Sequence, residues 1–217
     1  MKKAVVLLSG GMDSAVCLAL AEEQGYVVYA ITYNYGQRNI YEIEAAKELA
    51  RIYKVEEHME FNVDLRKIGG SALTDDIEVP GSETEGAPVT YVPARNIVFL
   101  SIAAGWAEVI GADTVFIGAN VRDYSGYPDC RPGFLESFET AVNQGTKDET
   151  QITIKAPLIN MSKAQIVEEG RRLDVDLSIT RSCYDPGPGG EPCGKCDSCR
   201  LREKGFKEVK TGVIENG

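Results

Sequence analysis

The chain has 217 residues, which suffices for one domain of ordinary size but is too short for two full domains. Hydrophobic residues make up 43% and charged residues 26%, near the average of globular proteins, so a core can form without disulfides. The 33 acidic and 23 basic residues give a formal net charge of −10, which opposes binding to nucleic acids or anionic membranes. No apolar run approaches the roughly 20 residues of a membrane span, and the N-terminal apolar stretch is too short for a signal peptide. We therefore expect a soluble, cytoplasmic protein.

Predicted strands and helices alternate along the sequence. Short apolar runs predict strands at residues 4–8, 27–33, 56–62 and 114–118. Apolar residues at helical spacing predict helices at residues 13–24, 40–53, 95–110, 134–145 and 162–173. Ser162 and Gln165 have the spacing of a capping box at the start of the last helix. This alternation is typical of βαβ units, and it predicts a three-layer α/β/α fold around a parallel sheet.

Two loops interrupt these elements. Residues 69–92 are rich in glycine, proline and acidic residues, and we expect a mobile lid or dimer-facing loop, with a passive surface loop as the alternative. Residues 120–133 follow a strand end, where open parallel sheets bind ligands, so they are predicted to form a pocket wall. We divide the chain into a main domain (1–180), a C-terminal extension of that domain (181–206) and a tail (207–217).

The segment between the first strand and the first helix contains the sequence SGGMDS at residues 9–14. Glycines there allow close approach of a ligand, and the free N–H groups of a helix N-terminus attract an anion. The segment matches neither the Walker A nor the dinucleotide-binding pattern. It resembles the pyrophosphate loop (PP-loop) of the N-type ATP pyrophosphatases, which split ATP between its α and β phosphates and transfer AMP to a substrate oxygen. A tight turn without a ligand is the alternative.

The resemblance implies an adenine nucleotide alpha hydrolase-like, Rossmann-like fold and a set of ATP-binding residues. Backbone N–H groups and two serine hydroxyls of the loop would hold pyrophosphate, and Asp13 would help to place Mg²⁺. Lys163 matches a late lysine of the superfamily that offsets phosphate charge during adenylyl transfer. Because a helix dipole disfavours a cation in the first turn, Lys163 indicates a nearby anion; an exposed lysine is the alternative. The implied ATP-binding residues are Leu8, Ser9, Gly10, Gly11, Met12, Asp13, Ser14, Ala15 and Lys163.

Four of the six cysteines lie close together near the C-terminus: Cys183, Cys193, Cys196 and Cys199. In a chain without a secretion signal, clustered cysteines bind metal more often than they form disulfides. Four thiolates around one ion form the closed, tetrahedral shell of structural zinc. An iron–sulfur cluster and redox-active thiols are the alternatives. Cys17 is expected to pack in the core, and Cys130 has no assigned role.

Further segments resemble one branch of the superfamily. The sequences YGQR (35–38), YVPARN (91–96) and SGYPDCRP (125–132), together with the four cysteines, are similar to the 7-cyano-7-deazaguanine synthase family from residue 4 to about residue 206. Ala94 stands where the family pattern leads us to expect glycine. The resemblance implies a homodimer that converts 7-carboxy-7-deazaguanine and ammonia to a nitrile through adenylated intermediates and an amide. AMP and pyrophosphate would be released, and the product would serve queuosine or archaeosine biosynthesis.

The proposed substrate segment contains several candidate contacts. Asp129 is suited to accept the N–H edge of a deazaguanine, and Tyr127 or Phe134 to stack on its face. Arg131 or Arg95 is suited to hold the carboxylate or a phosphate oxygen. Core packing is the alternative for the two aromatic residues, and a surface position is the alternative for Arg95. The predicted catalytic residues are Asp13, Lys163 and Arg95.

Two other function classes remain open at this point. The first is a PP-loop enzyme that thiolates or lysinylates tRNA, which requires a basic RNA-binding surface that this acidic, short chain does not predict. The second is a non-catalytic nucleotide-binding module, which would bind ATP without splitting it. His58, the only histidine, lies at a predicted strand edge and leaves no Ser/His/Asp set for either class.

Overall fold

A computed structural model of the chain describes residues 1–79, 87–122 and 126–212. The strands are β1 (Lys3–Leu7), β2 (Val27–Asn34), β3 (Glu57–Asn62), β4 (Thr114–Phe116) and β5 (Thr153–Lys155). The α-helices are α1 (Met12–Glu23), α2 (Tyr41–Ile52), α3 (Arg95–Ile110), α4 (Pro132–Gly145), α5 (Lys163–Arg172) and α6 (Asp197–Thr211). Short 3₁₀ turns occupy Leu65–Lys67 and Pro128–Cys130.

The five strands form one parallel sheet in the order β3-β2-β1-β4-β5. The central strand β1 pairs on both sides, with Val5 opposite Tyr29 of β2 and opposite Val115 of β4. After β1 the chain adds β2 and β3 on one side of it and then β4 and β5 on the other side, so the strand order reverses between β1 and β4. In sheets of this kind, ligands bind in the crevice beyond the carboxyl ends of the two strands at that switch point.

Helices cover both faces of the sheet. Ala4 and Val6 of β1 pack in one core with apolar residues of α1, α2 and α5, while Val5 and Leu7 pack in a second core with those of α3 and α4. Successive side chains of a strand point to opposite faces, so a strand buried on both faces must be apolar throughout. This burial explains the continuous run AVVLL, and the three-layer α/β/α prediction is confirmed.

The predicted strands and helices are present, with ends within two residues of their predicted positions. The capping box is also present: the Gln165 backbone N–H donates to the Ser162 hydroxyl (3.3 Å), and the Ser162 N–H donates to Gln165 Oε1 (2.7 Å). Two elements were missed, β5 and α6. The helix α6 continues past residue 206, where we predicted that the C-terminal extension (181–206) ends.

Parts of three predicted segments lie outside the described residues: 80–86 of the 69–92 loop, 123–125 of the predicted pocket wall (120–133) and 213–217 of the tail. The described ends of the 69–92 loop are joined, because the Ala72 N–H donates to the Val89 carbonyl (2.8 Å). Arg38 Nη2 holds the same loop through the carbonyls of Asp75 (2.7 Å) and Ile77 (2.8 Å). None of the helices in the described ranges combines the length and the apolar character that crossing a membrane requires.

Ala94 precedes α3 in a left-handed backbone conformation, with φ 57° and ψ 19°. A residue with a Cβ is strained there, by roughly 1–2 kcal/mol, whereas glycine adopts this conformation freely. The expectation of glycine at this position therefore has a conformational reason.

We predict that Ala94→Gly raises the free energy of unfolding by about 1 kcal/mol, because the relief of strain exceeds the entropy that glycine loses on folding. Ala141→Gly is the matched control, since Ala141 is exposed within α4, and it should lower the free energy of unfolding by about 1 kcal/mol. Urea unfolding midpoints measure both changes. A lower midpoint for Ala94→Gly would contradict the prediction.

Candidate active site

A cavity of about 240 Å³ lies beyond the carboxyl ends of β1 and β4, at the switch point of the sheet. Its walls come from the segments that follow three strands: 8–14 after β1, 35–42 after β2 and 117–120 after β4. The starts of α3 and α5, residues 181–184 and part of α6 also line it. The fold thus brings together segments that are more than 100 residues apart in sequence.

The loop after β1 is shaped by its own hydrogen bonds and by two glycines. The Ser14 hydroxyl accepts from the Ser9 N–H (3.2 Å) and donates to the Gly11 carbonyl (2.9 Å). Gly10 has φ +83°, and a side chain there would overlap the backbone oxygen of Glu42. Gly11 is the N-cap of α1 and has no side chain to cap it, so first-turn N–H groups remain for an anion.

Lys163 and Asp13 form an ion pair at the bottom of this loop. Lys163 Nζ lies 2.9 Å from both carboxylate oxygens of Asp13, and Lys163 is only 7% exposed. Asp13 is thus the anion that the position of Lys163 in the first turn of α5 indicates. Of the residues predicted to bind ATP, only Gly10 and Ala15 are absent from the cavity wall: Ala15 is buried in the core behind the loop.

Two arginines that the sequence analysis missed extend the basic side of the cavity. The Arg181 N–H donates to the carbonyl of Gly10 (2.9 Å), which attaches this segment to the loop. Arg202 of α6 donates to Thr180 Oγ1 and to the Leu177 carbonyl, both at 2.7 Å. Burial, together with the nearby Arg181, lowers the pKa of Arg202. The cavity is lined by five basic and two acidic side chains: Arg38, Arg95, Lys163, Arg181, Arg202, Asp13 and Glu42.

Of the predicted substrate contacts, Tyr127 and Arg95 line the cavity. The Tyr127 hydroxyl shares a hydrogen bond with Thr90 Oγ1 (2.8 Å), which fixes the ring. The Arg95 guanidinium lies over the ring of Tyr35, 5.7 Å from its centroid, and donates to its hydroxyl (3.3 Å). Both side chains are therefore held in place before a ligand binds.

The structure does not bring the other three predicted contacts to the cavity wall. Asp129 is buried, and its Oδ2 accepts from the backbone N–H of Asn96 (2.9 Å), so the carboxylate caps the start of α3. Arg131 is the exposed N-cap of α4. Phe134 packs against Phe138, with ring centroids 5.8 Å apart.

Cys130 lies on the cavity wall with its sulfur 3.2 Å from Asn96 Nδ2. Burial raises the pKa of its thiol to about 11. The thiolate is the nucleophilic form of cysteine, so this shift disfavours a nucleophilic role for Cys130. Its role in the resting structure is to accept the Asn96 amide at the start of α3.

Glu42 and Gln37 are two further cavity residues to which the sequence analysis assigned no role. Gln37 Nε2 donates to Glu42 Oε1 (3.1 Å), and burial raises the pKa of Glu42 to about 7. The helix dipole favours acidic residues in the first turn of any helix, so the position of Glu42 in the sequence did not indicate a functional role. The available signal was position, since Glu42 follows the YGQR motif by four residues.

The four clustered cysteines converge on one point. Their sulfur atoms all lie within 4.8 Å of one another, and the sulfurs of Cys193 and Cys199 are 4.0 Å apart. Zn–S bonds of about 2.3 Å in a tetrahedron place sulfurs about 3.8 Å apart, so the cluster fits a single ion. Burial raises the pKa of Cys193, but the N–H groups of Lys195 and Cys196 outweigh it and, with neighbouring thiols, lower that pKa to about 7.

The cysteine cluster is connected to the ion pair through α6. Cys196 is the N-cap of α6, and Gly205 of the same helix lies against Lys163. A Cβ at Gly205 would be 2.9 Å from two Lys163 carbons, too close for a real contact. The absence of a side chain at Gly205 therefore lets α6 support the backbone and stem of Lys163.

Comparison with known proteins gives matches over nearly the whole chain. A family model described as "Queuosine biosynthesis protein QueC" matches residues 3–210. A 7-cyano-7-deazaguanine synthase of Xylella fastidiosa (strain M12) is 55% identical over 99% of this chain and 94% of its own length. Another, of Xanthomonas axonopodis pv. citri (strain 306), is 57% identical over 96% of this chain and 95% of its own length.

Solved structures of other proteins share the fold. NMN synthetase from Francisella tularensis aligns with a TM-score of 0.54 at 20% identity, over 100% of this chain and 79% of that chain. A 4-thiouridine synthetase in complex with RNA and bound ATP aligns with a TM-score of 0.53 at 23% identity, over 96% of this chain and 50% of that chain. At these identities the likeness concerns the fold alone.

The loop after β1, the cysteine cluster and the segments around Tyr35, Arg95 and Tyr127 all lie within the matched range. The match also covers 94% and 95% of the relatives' own length, so it is to whole proteins rather than to a shared domain. The chain belongs to the QueC family of queuosine biosynthesis proteins.

Proposed function

We propose that this chain is an ATP-dependent carbon–nitrogen ligase that converts 7-carboxy-7-deazaguanine and ammonia to 7-cyano-7-deazaguanine, with an amide as intermediate. The relatives' name supports the product. The observation that carries the chemistry is the buried Lys163–Asp13 pair at the loop of residues 8–14, here called the phosphate loop. It places a fixed cation beside free helix N–H groups at the switch point of the sheet. Such a site suits an ATP phosphate chain.

The loop and the basic residues divide the work of adenylation. First-turn N–H groups of α1 and the hydroxyls of Ser9 and Ser14 bind the leaving pyrophosphate, and Lys163 offsets the charge that grows on it. Arg181 and Arg202 lie beside the loop and add two cations to the same wall. Mg²⁺, which prefers oxygen ligands, would accompany ATP next to the Asp13 carboxylate and neutralise phosphate charge.

The opposite wall binds the deazaguanine. Arg95 pairs with the substrate carboxylate, because its guanidinium is held on Tyr35 and faces the cavity from α3. Tyr127 contributes an aromatic surface for the planar ring. Asp129 acts through α3, whose first turn it caps, and so positions Arg95 rather than the substrate.

The four cysteines bind structural zinc. Sulfurs within 4.8 Å of one another suit one ion, whereas an iron–sulfur cluster spreads its four thiolates over two or four iron atoms and so holds some of them farther apart. Four thiolates close the coordination shell and leave no position for a catalytic water. The ion's contribution is to fold residues 183–199 and to fix the start of α6.

We further propose that the protein acts in the cytoplasm as a homodimer and does not bind nucleic acid. The net charge of −10 supports the last point. The 69–92 loop is the candidate dimer-facing element, because its residue Leu73 lines the cavity and Arg38 ties it to Asp185 of the cysteine segment (3.7 Å). Sedimentation of the purified protein gives the oligomeric state.

The direct test incubates the purified protein with ATP, Mg²⁺, ammonium and 7-carboxy-7-deazaguanine. We expect AMP and pyrophosphate to accumulate and the product mass to be that of the nitrile. Omission of the carboxylate substrate is the control and should abolish AMP formation. Failure to form AMP and pyrophosphate, or modification of added tRNA without any nitrile, would refute the proposed function.

Lys163→Met should lower kcat/KM by about 10²–10³-fold, because the variant loses the cation that offsets developing phosphate charge. Lys155→Met is the control: Lys155 lies in β5, outside the cavity, against Tyr26. It should leave the rate nearly unchanged. Circular dichroism checks that both variants fold. A Lys163→Met enzyme that is folded and fully active would disprove the role.

Elemental analysis should find about one zinc per chain, as a four-thiolate shell requires. Cys196→Ser should lose the metal, lower the melting temperature and reduce activity, because Cys196 is both a ligand and the N-cap of α6. Cys17→Ala, which changes a buried cysteine outside the cluster, should keep its zinc. Iron with visible absorbance in place of zinc would overturn the assignment.

A further inference from the structure

Glu42 is a cavity residue that the adenylation chemistry leaves without a task. It lies in the first turn of α2, and its Oε1 accepts one hydrogen bond, from Gln37 Nε2 (3.1 Å). Its Oε2 accepts none from the residues that the structure describes. An ionised carboxylate can accept about four hydrogen bonds. Glu42 therefore presents unused acceptor capacity in the cavity.

The position of this carboxyl group is fixed by its neighbours. Gln37 is held in one orientation, because its Oε1 accepts from the Tyr35 N–H (2.8 Å) and its Nε2 also donates to the Tyr33 carbonyl (3.1 Å). The backbone of Glu42 abuts Gly10, so close that a side chain at Gly10 would overlap it. Glu42 thus belongs to the part of the cavity next to the phosphate loop.

The surroundings of Glu42 suit proton transfer near neutral pH. Burial raises its pKa to about 7, although Arg95 and Gln37 oppose the shift. Burial also raises the pKa of Tyr35 to about 12, so this neighbour is neutral. The charged groups that face the same cavity are Asp13, Arg38, Arg95, Lys163, Arg181 and Arg202. Asp13 is neutralised by Lys163, whereas Glu42 has no ion-pair partner among the residues that the structure describes.

A second acceptor without a donor lies on the same wall. Asn39, three residues before Glu42, is 5% exposed and lines the cavity. Its Nδ2 donates to the Cys183 carbonyl (2.9 Å), which fixes the amide and leaves Oδ1 as acceptor. Within the described ranges, this oxygen is the one buried side-chain polar atom that lacks a hydrogen-bond partner. Such an atom is ordinarily satisfied by water or a ligand donor.

We propose that Glu42 binds the ammonium ion and takes a proton from it, so that ammonia is released beside the acyl adenylate. The inference rests on the proposed function, which requires a nitrogen nucleophile. Ammonium predominates over ammonia at neutral pH and has no lone pair with which to attack. Five basic side chains line the cavity and repel a cation, so ammonium requires a carboxylate there. Of the two carboxylates that line the cavity, Asp13 is already paired with Lys163, so Glu42 is the one that can bind ammonium.

In the proposed step, ammonium gives one proton to the Glu42 carboxylate, and the nitrogen lone pair forms a C–N bond to the acyl carbon. The C–O bond to AMP breaks, and the bonding pair stays on the phosphate oxygen. The nitrogen loses a second proton, which leaves with that phosphate, and the product is the amide. Glu42 then returns its proton to solvent.

Two half-reactions separate this role from adenylation. Exchange of pyrophosphate into ATP, measured with 7-carboxy-7-deazaguanine and without ammonium, reports adenylation alone. Glu42→Gln should keep this exchange within about threefold of wild type, while amide formation at pH 7 falls about 100-fold or more, as expected for loss of a general base. Glutamine still accepts from Gln37, so the fold is preserved; the melting temperature checks this.

A pH series at constant total ammonium gives a second readout. Free ammonia rises about tenfold for each pH unit below the pKa of ammonium, so the defect of Glu42→Gln should shrink steadily from pH 7 to pH 9. Glu44→Gln is the matched control, because Glu44 is an exposed residue of the same helix paired with Lys47 (3.0 Å). It should behave as wild type throughout.

The outcomes are distinguishable. If Glu42→Gln loses pyrophosphate exchange as well, Glu42 serves adenylation or carboxylate binding, and the inference is overturned. If the variant forms the amide at the wild-type rate at pH 7, or if its defect is the same at every pH, the inference is also overturned. If wild-type protein shows no carboxylate-dependent exchange, the proposed function itself fails.

Discussion

A buried ion pair between two helix N-termini organises this molecule. Asp13 lies in the first turn of α1 and is favoured there by the helix dipole, whereas Lys163 begins α5, where the dipole disfavours a cation. A lysine that is only 7% exposed must be paired, because an isolated buried charge is strongly destabilising. The pair therefore holds the helix that follows β1 against the helix that follows β5. The phosphate loop and the cavity are built around that contact.

The cysteine cluster is best understood through its effect on this pair. The cluster joins Cys183 to the start of α6 across a stretch with little regular structure, and Cys196 is the N-cap of that helix. Gly205 then places α6 against Lys163 with no side chain between them. Arg202, one turn earlier, adds a cation to the cavity. The cysteine cluster is thus linked to the ion pair through one helix, and its residue Cys183 itself lines the cavity.

The fold was predictable because β1 and its neighbours are buried on both faces and their sequences are correspondingly apolar. The strand β5 was missed because it has three residues, two of them polar. The helix α6 was missed for a different reason. Its mid-helix Gly205 lowers helix propensity, and the close approach to Lys163 that requires a glycine cannot be recognised before the tertiary structure is known.

The site was only partly predictable for a similar reason. The loop residues and Lys163 are identified by a local motif, and the structure brings most of them together. In the 127–134 segment the sequence supplies suitable side chains but not their directions, so Tyr127 faces the cavity while Asp129 turns to the start of α3. Glu42 carries no signature of its own, because its burial depends on contacts with the phosphate loop.

The side chains that line the cavity carry a net positive charge, whereas the whole chain carries a net negative charge. Five basic and two acidic side chains line it, in a chain whose net charge is −10. Long-range attraction therefore favours small cations, while anionic nucleotides are attracted only at short range, near the mouth. At 0.1 M salt the Debye length is about 10 Å, so the outer field is largely screened and the inner one is not. The proposed binding of ATP therefore depends on the basic side chains of the cavity and not on the net charge of the chain.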